Sequence, residues 1–149
     1  MPRSRRWTEL AADDGSASIE LLTVGMLLTV PLVYLVLAMA QLQAATLATE
    51  GAARQAARVV ATADSHADGL AAADAAIAVA LADLGLEPSA IDVACAPTPS
   101  DCATRGGTVQ VAVETTVPLP LVPPVLDLDV GLAVPISAQA AQPVSELRP

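Results

Sequence analysis

The sequence predicts an α+β protein: a long N-terminal helix that is partly transmembrane, a second amphipathic helix, and a small three-stranded antiparallel sheet. Three observations carry that expectation. No charged side chain occurs from Leu21 to Thr49. Apolar residues between Leu70 and Leu84 recur at three- and four-residue steps, and from Ile91 onward the apolar period changes to two.

With 149 residues, a leader and an apolar run leave about a hundred residues to fold in water, which is one small domain at most. The chain has 16 Asp and Glu against 7 basic residues, all of them Arg, and so carries a net charge of −9. That balance repels phosphate backbones and anionic surfaces and argues against nucleic acid as a partner. There is no Phe, one Trp and one Tyr. The core must therefore come from Val, Leu, Ile and Ala, which bury little area per residue.

Residues 1–15 form a leader in which Arg3, Arg5 and Arg6 precede Glu9, Asp13 and Asp14. The arginines favour a cytoplasmic N-terminus, although Arg54 and Arg58 on the far flank weaken the asymmetry. The long helix is expected over 16–62. Its transmembrane part, about 21–40, has the roughly 20 apolar residues that a bilayer core requires. Gly25 and Pro31 lie inside it and are tolerated in such helices, Pro31 marking a kink or a packing site. Beyond Ala40 strong helix formers continue, with Glu50 and Arg54 in the favourable i,i+4 order. Leu47, Ala53, Ala56, Ala57 and Val60 are read as a narrow buried stripe.

A small extracytoplasmic α+β domain is expected over 63–141. It begins with a break at DSHADG, where Asp64 or Asp68 would cap the next helix. In that helix Leu70, Ala73, Ile77, Leu81 and Leu84 form the apolar stripe, and Gly85 with Pro88 ends it. Ile91, Val93 and Cys95 mark the first strand, and Val109, Val111 and Val113 the second. Leu126, Leu128, Val130, Leu132, Val134 and Ile136 mark the third. Pro135 places the third strand at an edge or near its end. Residues 142–149 read as a flexible tail. Cys95 and Cys102, with six residues between them, suit a disulfide in an oxidising compartment and do not suit a zinc site.

The front edge of the apolar run carries the specific signal. Gly15, Ser16 and Glu20, the last at the fifth position counted from Ser16, abut an uninterrupted apolar segment behind a short leader with arginines. A carboxylate beside hydrocarbon is penalised and asks for a partner. This junction resembles that of type IV pilin precursors, and the chain is similar in particular to the TadE-like pseudopilins of tight-adherence (Flp-type) pilus systems of bacteria. The segment GAARQAARVV and a terminal strand like LAVPISAQA add to the likeness. The leader is longer and more acidic than is usual in that family, and Pro31 stands farther from Glu20.

The resemblance implies that a prepilin peptidase cuts between Gly15 and Ser16. It also implies that the helix is first membrane anchor and then packing spine among other pilins or pseudopilins, with Glu20 meeting the amine of a neighbouring subunit. Two other readings stay open. Ala38-Met39-Ala40 before Gln41 has the form of a signal-peptidase site, although the apolar run is longer than the usual 7 to 15 residues. A single-pass or secreted binding domain without a pilus role is the other. For catalysis little is offered: His66 is the only histidine and reads as a solvated loop residue, and Asp127 and Asp129 share the polar face of a strand. The expectation is a protein that is not an enzyme and needs no cofactor or metal.

Overall fold

Alternation and helical periodicity are realised in a chain whose elements run α1 (Asp14–Thr62), α2 (His66–Ala82), β1 (Pro88–Ala96), β2 (Thr108–Pro118) and β3 (Ala133–Pro143). The computed structural model describes residues 14–120 and 133–147, with side chains from Ser18. The start expected for the third strand, with Leu126, Leu128, Val130, Leu132, Asp127 and Asp129, lies outside the described residues. So do the arginines of the leader. The chain divides into two units, Met1–Met39 and Ala40–Pro149. α1 is one continuous helix of 49 residues with Pro31 inside it.

In the second unit the three strands form an antiparallel meander in the order β1-β2-β3. Period-two alternation puts Val109, Val111, Val113, Thr115 and Val117 of the central strand on the buried face. Ile91, Val93 and Cys95 flank them on β1, and Val134, Ile136, Ala138 and Ala140 on β3. One-sided burial of this kind pins the register, since a slip of one residue would turn every valine to water. Asp92, Gln110, Glu114, Ser137 and Gln139 occupy the opposite, exposed face. There the Gln110 amide donates to Gln139 Oε1 at 3.3 Å.

The helices close the buried face. From Ala40 on, α1 contributes Ala45, Thr49, Ala52, Ala53, Ala56, Ala57, Val60 and Ala61, all buried. Leu47, expected on this stripe, is instead 69% exposed. The reason is angular: at 100° per residue Leu47 stands about 120° from Ala53 and nearly opposite Ala45. α2 buries Gly69, Ala73, Ile77 and Leu81. Leu84, expected on the same stripe, falls after the helix and is 44% exposed.

The start of α2 also differs from expectation, because Ser65 and neither aspartate is the N-cap. The Ser65 hydroxyl accepts from the Asp68 N–H at 3.2 Å and donates to Asp68 Oδ2 at 2.7 Å. A serine reaches the first free N–H groups, while the Asp68 carboxylate, three residues on, accepts the serine's own hydroxyl proton and so fixes its orientation. At the other end the Gly85 N–H bonds Ala82 O at 2.9 Å and the Leu86 N–H bonds Leu81 O at 3.1 Å, with Gly85 at φ 64°. That Schellman closure is the expected stop at Gly85.

Close approach governs the rest. A Cβ on Gly69 would meet Ala63 Cβ at 3.1 Å and Val60 Cα at 3.4 Å, so glycine lets α2 lie against the end of α1. Ala45 and Leu84 line one small pocket at the far end of the same helix pair, which therefore runs antiparallel. The buried hydroxyls are satisfied: Thr49 donates to Ala45 O at 2.8 Å and Thr115 to Glu87 O at 2.7 Å.

β3 continues to Pro143, past the expected end at 141, and Val144 is buried. The Val144 N–H donates to Gly107 O at 2.8 Å, extending the ladder. Pro135 is exposed and paired with Thr116 on an edge strand, as expected.

An alanine face packed to this tightness does not accept larger side chains. Replacing Ala56 with Leu should destabilise by about 1 to 3 kcal/mol despite the added apolar area. Urea unfolding of the detergent-solubilised chain, followed by circular dichroism, measures it.

Candidate functional segment and disulfide loop

Among the described residues of the first unit, α1 has no buried face to speak of. Met26, Leu27 and Leu28 are consecutive, point in three directions about 100° apart, and are 69%, 70% and 66% exposed. A helix that is apolar all round belongs in lipid or among other helices. Its most apolar 18-residue window has a mean hydropathy of 2.4, and 6% of that window is buried. By length and composition it can cross a membrane, as an anchor or as a signal sequence.

Gly15 and Ser16 fall in the first turn of α1, whose first residue is Asp14. Glu20 follows Ser16 by four residues, one turn farther and about 6 Å along the axis. Its side chain is exposed and has no hydrogen-bond or ion-pair partner among the described residues. Thr23, one turn from Ile19, donates its hydroxyl to Ile19 O at 2.7 Å and so needs no outside partner. Pro31 withdraws the N–H that Leu27 O would otherwise receive, and a shallow apolar groove lined by Thr23, Met26, Leu27, Val30 and Pro31 opens on that side.

In the second unit the two cysteines are joined. The Cys95–Cys102 disulfide, with Cα atoms 5.1 Å apart, ties the end of β1 to the loop before β2. Both residues are buried. Pro97, Thr98, Pro99 and Ser100 of the closed loop are exposed. Gly107 seats the loop's return: a Cβ there would lie 2.7 Å from Ala96 O and 2.9 Å from Thr104 O, which only a glycine avoids.

His66 departs from its reading as a solvated loop residue. It is the first residue of α2, half-buried, and its Nδ1 accepts the Cys102 N–H at 3.4 Å. The ring thus ties the disulfide loop to the start of α2. Sequence reasoning missed it because the two residues are 36 positions apart. No signal in the sequence marked it. Glu50 and Arg54 form the expected exposed ion pair. Among the described residues no group of three His, Cys, Asp or Glu side chains is placed to hold a metal ion.

No model of a protein family, no curated protein and no solved structure matches this chain.

Closing so short a loop should stabilise the fold by about 2 to 3 kcal/mol on the chain-entropy estimate. Reduction should lower the urea midpoint accordingly. The unreduced, unfolded protein should show no reactive thiol, and two labelled thiols would disprove the linkage.

Proposed function

We propose that this chain is a minor pilin-like, TadE-like protein that acts in assembly of a tight-adherence type pilus, through helix packing in the membrane or in a filament. The observation that carries the reading is Glu20: a lone carboxylate with no partner among the described residues, one turn after the Gly15-Ser16 junction and at the head of a helix apolar on every side. A charge drawn toward the centre of a bilayer is penalised by roughly 2.5 to 3.5 kcal/mol, and an anchor alone is better served by Leu or Ala. The amine released at Ser16 by a prepilin peptidase supplies the missing partner, in the same chain or in the next subunit.

On this reading the N-terminus is cytoplasmic, the helix crosses the cell membrane once, and the second unit is extracytoplasmic, where the disulfide is chemically at home. Its partners are the prepilin peptidase, other pilins or pseudopilins, and the membrane. The work is non-covalent and calls for no catalytic residue or cofactor. Small residues such as Gly25 let neighbouring helices approach closely.

Mass spectrometry of the membrane form should give a chain starting at Ser16, and replacing Gly15 with a bulky residue should block the cut. A start at Gln41 would establish a signal peptide, and an intact Met1 would establish a plain anchor; either outcome removes the pilin reading.

Glu20→Gln should leave insertion and cleavage intact while reducing co-purification with pilus components several-fold, because loss of one member of a buried ion pair strands the other. Unchanged assembly of that variant would assign Glu20 no role in it.

A further inference from the structure

The outward faces of α1 and α2 in the second unit carry complementary stripes. On α1, Leu47, Gly51, Arg54 and Arg58 follow one another at helical spacing, directly opposite the buried alanines. A Cβ on Gly51 would meet nothing within 4 Å, so the middle of this stripe is a shallow seat. On α2, Asp68, Ala72, Ala75, Val79 and Asp83 form the exposed stripe. Leu47 at 69% and Val79 at 72% exposure leave two aliphatic side chains in water with no cover. Arg54 is paired with Glu50 of its own helix, so Arg58 gives the α1 stripe its basic character, while the α2 stripe is acidic and apolar, in a chain whose net charge is −9.

The spacings match. Eleven positions separate Leu47 from Arg58, and eleven separate Asp68 from Val79, about 16 Å in each helix. Laid antiparallel, Arg58 meets Asp68 as Leu47 meets Val79, with Gly51 over Ala75 between them. Asp83 then falls opposite Gln43, and no carboxylate faces another.

The packing within one chain supplies the symmetry. Val60 lies level with Gly69, and Ala45 and Leu84 border one pocket at the far end of the antiparallel pair. A two-fold axis parallel to the helices therefore brings Arg58 of a second copy within about three residues, some 4.5 Å along the axis, of Asp68. The same operation brings Leu47 as near to Val79, and both contacts are made twice. We propose that two copies of this chain pair through these stripes, α1 of each on α2 of the other. The pairing involves only the second unit and rests on no step of the pilus reading; a Ser16 start can be found with or without it.

Thiol crosslinking in trans tests it, since Cys95 and Cys102 are paired and the chain has no other cysteine. Two full-length chains with different tags, one Leu47→Cys and the other Val79→Cys, are mixed in detergent and treated with a short bis-maleimide. The expected product is a heterodimer at several times the yield of a control pairing Val79→Cys with Gln139→Cys on the outer sheet face. Adding Arg58→Glu to the first chain should lower the yield at least fivefold, and Asp68→Arg in the second should restore it. Should Asp68→Arg disturb the α2 cap and prevent folding, Asp68→Asn keeps an oxygen for Ser65 and should by itself lower the yield. A chain carrying both cysteines should stop at the covalent dimer. A yield equal to the control, indifference to Arg58→Glu, or a ladder of higher oligomers would overturn the proposal.

Discussion

Everything in the water-exposed unit depends on how near α1 comes to the sheet. The approach is set by methyl groups: six of the buried residues of α1 beyond Ala40 are alanines, and Gly69 stands where α2 meets its end. Volume is then supplied from the other side, by the valines of β2 and by Ile77 and Leu81, which are among the largest fully buried side chains. Close contact maximises dispersion per atom but buries modest apolar area, so a core of this kind has little stability in reserve. The boundaries compensate. A serine N-cap, a Schellman turn, a disulfide and the His66 contact to Cys102 all lie around the margin of α2 and β1, where a larger protein would rely on its interior.

Much of this architecture was legible because two periodicities are clean. Valines at 109, 111 and 113 allow one strand face only, and Ile77 and Leu81 allow one helix face only. The failures share a cause: they involve residues whose fate is decided by angle or by a distant partner. Leu47 is an apolar residue among alanines, yet six positions from Ala53 it must point away. Ser65 outcompetes two neighbouring aspartates as a cap, a difference of local backbone geometry that residue type does not reveal. β3 runs past the expected end at 141 although Gln142 and Pro143 are poor strand formers. The ladder bond from Val144 to Gly107 holds them in place.

The two halves of the candidate site differ in the same way. Cys95 and Cys102 could be paired from the sequence because a short loop between strand and turn leaves few alternatives, and the structure joins them. Glu20 could be singled out because a carboxylate against twenty apolar residues is expensive wherever it sits. What Glu20 meets is another matter, since a helix exposed on all sides defines a requirement and no partner. The complementary stripes on α1 and α2 could not have been found from sequence, because they acquire meaning only once the opposite faces are known to be buried.

The two prolines of β3 bear on how such a protein behaves when crowded. Because the Val144 N–H points to Gly107, alternate residues of β3 from Pro143 back to Pro135 turn their backbone groups outward, away from β2. Two of the amides that a fourth strand would need are therefore missing by covalent structure. Where copies of a chain meet at high local concentration, an open sheet edge invites indiscriminate zippering of one copy onto the next. β3 is capped against that fate, so contacts between copies along this edge are left to side chains, which can tell one partner from another.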